Sequence, residues 1–486
     1  MRILHVSSEC APWAKTGGLG DVVAALPDAL CRAEPGVEAA AVLPYYRSAR
    51  TALAKRGLRP VDTGVVADVN LGATTARVRF LRLDRPGPGG HAPIFFAAND
   101  VAYERDGLYG YDDDALRFIL LCKAVVGVGS RLLGGAPDII HAHDWHAALI
   151  PGLVATNARA LLPQTRTVLT LHNLAYQGIC SKDTLPITGL PWEVFHLDAF
   201  EWYDHMNLLK GGIACADGVT TVSPTYAREI QTPEFGAKLD GFLRKRRIFG
   251  ILNGIDTEEW DPSSDSNLAA HYDVERLDQK RKVRAELLRI CDWPELPHVP
   301  LFGVVSRMTA QKGLDLVAAL ASELYDMPAR LVVLGTGAPD LQDAFRMAAR
   351  HYTWNVRTQI AFDGPLSHKI IAGCDALLVP SRFEPCGLTQ MYAMRCGTVP
   401  VVHATGGLAD TVHDPGDAGL ARGEGTGFAF EHPTAVGLRW AMQRAVRMYR
   451  EQPEGWRAIQ RAGMQRDWSW KRSAGDYLSL YRALLR

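Results

Sequence analysis

The chain has 486 residues, 47% hydrophobic and 22% charged, enough to bury a core in each of two large domains. Fifty-three Lys and Arg balance 53 Asp and Glu, so no basic excess exists to neutralise a nucleic-acid backbone, and that partner class is excluded first. Nine scattered cysteines without a C-x-x-C pair argue against a disulfide framework or a zinc site, and no run of about eighteen apolar residues predicts a membrane span. The N-terminus shows neither an apolar signal region nor a transit peptide, so the expected location is the cytoplasm.

Strand-like and helix-like runs alternate along most of the chain, the pattern of βαβ units and parallel sheets. RILHVS (2–7) reads as a buried first strand, KTGGLGD (15–21) as a Gly-rich turn, VVAALPDALCRA as a helix and 37–43 as a second strand. Between 61 and 99, Gly and Pro separate short strands expected to be partly antiparallel. The alternation returns with strands at 137–144, 165–173 and 217–223, separated by helices that include ALRFILLCKAVVGVGSRLL and HMNLLKGGIACA. A second series opens near 249 with IFGILNGID, then 299–307, 329–337, 358–362, 376–381 and 398–403. Helices close the chain at 434–450, 453–464 and about 471–485. The fold class is therefore α/β with two doubly wound, Rossmann-like domains, divided as 1–247 with 466–486 and as 248–465.

In open α/β sheets, ligands bind beyond the carboxyl ends of the strands, and five suggestive segments are expected there. Lys15, Gly17, Gly18 and Asp21 lie in the first βα turn, where glycines admit phosphate oxygens to backbone N–H groups and Lys15 adds charge; a plain tight turn is the competing reading. Arg307 and Lys312, five apart after a strand, suit a diphosphate that gains charge as its bond breaks, although a solvated basic turn has the same composition. Glu384, Cys386, Gly387, Leu388 and Thr389 combine a carboxylate with a helix start; Glu there also stabilises a helix unaided. Thr405, Gly406 and Gly407 repeat the TGGL of 16–19, so matching places in the two halves are expected.

The last segment, HAHDWH (141–146) with His172 and Asn173, gathers imidazoles and a carboxylate. Strand alternation puts His141 and His143 on one face and Asp144 on the other, which favours hydrogen bonding over a metal. Asp112, Asp113 and Asp114 could hold a metal-diphosphate, but they directly precede a helix and read better as its N-cap. Trp440, Trp468 and Tyr481 are expected to be core or domain-packing residues and not sugar platforms, with Trp145 and Tyr103 as candidate exceptions.

KTGGLGDV, HAHDWHA, TLHNLAYQG, ILNGID, SRMTAQKGLD, PSRFEPCGLTQ and TGGLADTV together resemble, colinearly over essentially the whole chain, the bacterial glycogen synthase and plant starch synthase family. The resemblance implies a glycosyltransferase B fold: two Rossmann-like domains facing across a deep cleft, with a C-terminal helix crossing back to the first. It implies transfer of glucose from ADP-glucose, with retention, to the non-reducing-end 4-hydroxyl of a glycogen or α-1,4-glucan primer. No cofactor or essential metal, nucleic acid or membrane is implied. In that family pattern Arg307 and Lys312 bind the leaving diphosphate, Lys15 and Gly18 line the same site, and Glu384 holds the donor glucose near Gly387 and Leu388. His172 lies beside the transferred glucose with its carbonyl toward the anomeric carbon, and Asp144 contacts glucose or the acceptor hydroxyl. Asn173, Tyr176 and Gln177 meet the acceptor, and Asn253 belongs to the substrate-binding set. Phe362 stands where the family often has a Tyr against adenine. Position 392, eight after Glu384, is Tyr392, so the E-x7-E pattern of other retaining transferases is absent. An inactive glucan-binding regulator and a transferase with a small acceptor, of the sucrose-phosphate synthase type, are the competing readings.

Overall fold

The computed structural model describes residues 1–85 and 91–486. It divides into two units, residues Met1–Gly254 with Trp470–Arg486, and Ile255–Ser469. In chain order, the strands of the first unit are β1 (Arg2–Val6), β2 (Glu38–Pro44), β3 (Val61–Asn70), β4 (Thr75–Leu83), β5 (Ile94–Ala98), β6 (Ile139–His143) and β7 (Arg166–Leu171). They continue with β8 (Ile179–Ser181), β9 (Glu201–Trp202), β10 (His205–Asn207), β11 (Gly218–Thr221) and β12 (Ile248–Gly250). The second unit holds β13 (Leu301–Val305), β14 (Arg330–Gly335), β15 (Val356–Ile360), β16 (Ala376–Val379), β17 (Val399–His403) and β18 (Phe428–Phe430).

The first sheet runs β12-β11-β7-β6-β1-β2-β5-β4-β3. It is parallel from β12 to β5, and β4 and β3 extend it antiparallel. That is the partly antiparallel side expected from 61–99. Strands buried on both faces, such as AAAVL in β2, are continuously apolar because helices cover both sides. The second sheet, β15-β14-β13-β16-β17-β18, is parallel throughout. Within their parallel parts, strand order reverses between β1 and β6 in the first sheet and between β13 and β16 in the second. Those reversals are where doubly wound sheets open a crevice beyond their strand ends.

The domain boundary falls later than the expected residue 247. β12 pairs with β11, so IFG closes the first sheet and does not open the second unit. The helix Trp470–Leu485 belongs to the first unit: Trp470, Ala474, Tyr477 and Tyr481 are buried with Ile3, Val22, Leu26 and Leu30. Within the expected helix HMNLLKGGIACA, residues His205–Asn207 instead form β10 of a small sheet with β8 and β9, strands too short to leave a periodic signal.

Three aromatic expectations change. Tyr103 is fully buried, its hydroxyl donating to the Arg117 carbonyl, so it is core and no sugar platform. Trp440 is 52% exposed with the Arg444 guanidinium over its ring, so it is not a core residue. Trp468 is half-buried, donating from Nε1 to the Gly463 carbonyl, whereas Tyr481 is buried as expected. The Asp112–Asp114 run does not cap its helix by side chain: Asp113 pairs with Arg105, and Asp114 accepts from the Gly110 and Tyr111 N–H groups and pairs with Arg117. Among the described residues no helix is long and apolar enough to cross a membrane.

Candidate active site

In the second unit, the loops after β13 and β16 lie at the strand-order reversal and are knit together. Gln311 donates from its amide to the Phe383 carbonyl at 3.2 Å, and the Arg382 N–H donates to the Gln311 carbonyl at 2.8 Å. Arg382 also pairs with Asp315 at 2.6 Å. Gly313 makes the join possible: its φ is +64°, and a Cβ there would stand 2.1 Å from the Pro380 carbonyl oxygen. The result is a fixed charge pair. Lys312 Nζ lies 2.6 Å from Glu384 Oε2, and the Ser381 hydroxyl donates to the same oxygen at 2.7 Å. Both side chains are largely withdrawn from water, at 19% and 8% exposure. Arg307, by contrast, is exposed and makes no ion pair or hydrogen bond through its side chain with the described residues. One cation is thus pre-positioned by protein and a second is free to meet an anion.

The next loops complete this corner. Gly407 donates its N–H to the Glu384 carbonyl at 3.0 Å, and a Cβ on Gly407 would lie 2.1 Å from the Cys386 carbonyl oxygen. Gly406 adopts φ +45° and Gly387 φ +71°. Thr405 is the N-cap residue of the helix Gly406–Thr411, and Leu388 that of Thr389–Arg395. Backbone therefore approaches backbone around Glu384 in a way only glycine permits. Phe362 leaves 91% of its surface exposed, an aromatic face free to stack on a planar base. Tyr392 is stacked on Trp260 at 4.0 Å between centroids and so serves packing.

In the first unit, the turn 15–21 follows β1, with Lys15 paired to Asp21 at 2.6 Å. Its shape depends on a residue that sequence reading passed over. Buried Glu9 accepts from the Thr16 N–H (2.6 Å), the Thr16 hydroxyl (2.6 Å), the Gly17 N–H (3.2 Å) and the Tyr109 hydroxyl (2.8 Å). A carboxylate directly after an apolar strand was the available signal. Gly18 opens the helix Gly18–Ala33.

Asp144, just past β6, sits at φ +57° and accepts from the His172 N–H at 2.7 Å and the Asn173 N–H at 3.4 Å. Burial pushes its carboxyl up to about 7, against the pull of those two donors. Asn173 turns its own loop by accepting from the Ala175 N–H, and Tyr176 is 58% exposed. Gln177 is committed internally: it donates to the Leu174 and Ala237 carbonyls and accepts from Asn207. Trp145 packs beneath the same loop, where a Cβ on Gly178 would fall 2.3 Å from its ring. Asn253 is buried, and its Oδ1 has no hydrogen-bond partner among the described residues.

His5, His141 and His143 bring ring nitrogens within 4.8 Å of one another, a spacing a metal could use. Their donor set does not fit one. His141 spends Nδ1 on the Tyr481 hydroxyl and Nε2 on the Thr170 hydroxyl. His143 spends both nitrogens on His5 and His172, so only His5 Nε2 is left.

Comparison with known proteins gives the family. Residues 2–245 match the family model described as starch synthase catalytic domain, and 294–461 match glycosyl transferases group 1. A glycogen synthase of Anaeromyxobacter sp. (strain Fw109-5) is 46% identical, the match covering 100% of this chain and 99% of that one. The chain belongs to the glycogen and starch synthase family of glycosyltransferases. Within that family, glycogen synthase 2 of Geobacter sulfurreducens is 43% identical over 99% of this chain and 98% of its own length. The catalytic domain of starch synthase IV from Arabidopsis thaliana, solved bound to ADP and acarbose, superposes with a TM-score of 0.89 at 32% identity, covering 99% of both chains. A sucrose-phosphate synthase from Thermosynechococcus elongatus shares the fold, with a TM-score of 0.59 at 19% identity.

Proposed function

We propose that this enzyme transfers glucose from ADP-glucose to the non-reducing-end 4-hydroxyl of an α-1,4-glucan, with retention at the anomeric carbon, in the cytoplasm. The observation that carries the reading is the Lys312–Glu384–Ser381 cluster, with Arg307 unpaired among the described residues on the same loop as Lys312, at the strand-order reversal of the second sheet. Cleaving a glucose–phosphate bond leaves negative charge on the diphosphate, and prearranged cations there lower the barrier without reorganising at the moment of reaction. Lys312 takes that role, Arg307 adds a second, free cation, and Lys15 is assigned to phosphate as well. Phe362 is assigned to adenine, and the corner around Glu384, Gly387 and Gly407 to the donor glucose. The first-unit loop of Asp144, His172, Asn173 and Tyr176 is assigned to the sugar and the acceptor.

Attack by the acceptor hydroxyl on the face the diphosphate leaves, with the departing phosphate taking its proton, accounts for retention. A covalent glucosyl–Glu384 intermediate is the rival route. Glu384 gives one carboxylate oxygen to both Lys312 and Ser381, which suits a group that orients a cation better than a free nucleophile. No metal is assigned, since the first unit's imidazole cluster is already spent on hydrogen bonds.

The test is ADP release from ADP-glucose with glycogen, run against UDP-glucose and in excess chelator. The expected result is a ladder of lengthened glucans, preference for ADP-glucose and no loss of rate to the chelator. Absence of ADP release would leave only a glucan-binding role, and a single small glucoside as product would indicate a small acceptor.

A further inference from the structure

Three imidazoles in the first unit form a one-way hydrogen-bonded chain. His5 Nδ1 lies 3.1 Å from His143 Nε2, and His143 Nδ1 lies 2.9 Å from His172 Nε2. His5 and His143 are fully buried and His172 keeps 9% exposure. Burial lowers all three, His5 and His172 to about 3 and His143 well below its ordinary value, so each ring is neutral and carries one N–H. A neutral His143 has one proton for two contacts, so the chain runs either from His5 toward His172 or the reverse.

The far end decides the direction. His5 Nε2 is buried without a hydrogen-bond partner among the described residues. If the chain ran from His172 toward His5, that nitrogen would carry an N–H with nothing to accept it. Run the other way, it carries only an unused lone pair. Orphaned buried N–H groups are the rarer of the two and unfavourable. With His5 donating to His143 and His143 donating to His172 Nε2, the proton of His172 must sit on Nδ1. That nitrogen makes no hydrogen bond with the described residues, which leaves it for a ligand.

We propose that His5 and His143 are positioning residues that fix His172 as its Nδ1–H tautomer, so that it donates a hydrogen bond to a lone pair on a substrate sugar oxygen. The ligand part rests on the glucosyl-transfer reading; the tautomer does not. Long-range proton–nitrogen NMR of the ligand-free, imidazole-15N-labelled full chain reads the tautomer directly. The expected spectrum shows His172 Nδ1 protonated and Nε2 bare. The opposite assignment overturns the proposal, whether or not ADP is released from ADP-glucose. Two variants then test the link to turnover. His143→Asn retains a donor toward His172, and it should keep the tautomer and most of kcat. His143→Leu, checked for native circular dichroism, should give mixed tautomers and a kcat lowered by about tenfold to a hundredfold with KM little changed. An unchanged tautomer and kcat in a folded His143→Leu protein would also overturn it.

Discussion

The tetrapeptide Thr-Gly-Gly-Leu occurs at 16–19 and at 405–408, and the two copies use glycine for different reasons. The first follows β1, at the strand-order reversal of its sheet; the second follows β17, so the two places do not match as the sequence suggested. In the first, Gly17 has an extended backbone (φ −156°), and a Cβ would meet nothing within 4 Å. That loop is held from outside by the Glu9 carboxylate. In the second, Gly407 touches the Cys386 backbone and Gly406 has positive φ, so the chain itself fixes the loop. Identical sequence thus yields one loop whose glycine faces open space and one whose glycine leaves room for protein.

The largest effect should come from the charge that the second loop cluster supports. Lys312→Ala should lower kcat by about a hundredfold to a thousandfold in the ADP-release assay, because a preorganised cation is lost. Gly407→Ala comes next: pressing a methyl onto the Cys386 carbonyl should destabilise the fold by about 1–3 kcal/mol, read as a lower midpoint in denaturant. A Gly407→Ala protein as stable as the parent would show that the two loops can part easily.

Glu9→Gln turns one acceptor oxygen into a donor facing the Thr16 and Tyr109 groups that now donate to Glu9. The expected cost is about 1–3 kcal/mol, with a raised KM for ADP-glucose, since the turn bearing Lys15 loses its anchor. Asp144 gives a pH signature. Its folded-state value, about 7, lies above the ordinary 3.8, so the native state binds the extra proton and stability is lost as pH rises between them. Asp144→Asn keeps an acceptor for the His172 N–H but cannot ionise. Its stability relative to the parent should therefore climb by roughly 1.4 kcal/mol per pH unit from about pH 4 to 7 and then level off. The smallest structural effect belongs to Gly17→Ala, expected within about 0.5 kcal/mol of the parent. A weaker affinity for ADP-glucose without lost stability would mark that glycine as leaving space for the ligand.

How far the site was legible follows from the same contrast. Arg307, Lys312 and Glu384 could be singled out from local pattern, because each lies in a loop that follows an apolar strand. Glu9, Gln311 and Asp315 could not, because their roles lie in contacts with loops up to 100 residues away, as between Glu9 and Tyr109. His5 looked like one more buried strand residue until β1 paired with β6 and set it beside His141.

Apolar runs, their spacing and the glycines between them were enough to determine two doubly wound α/β units and the strand ends that bear the charged residues, since burial on both faces leaves its mark on local sequence. Tertiary structure alone decided that IFG closes the first sheet, that Lys312 is already paired with Glu384, that Gln177 is occupied by its neighbours, and that His5, His143 and His172 line up within hydrogen-bond distance. Those outcomes depend on which distant backbone and side-chain groups meet, and hydrogen bonds between residues far apart in the chain leave no periodic trace along it.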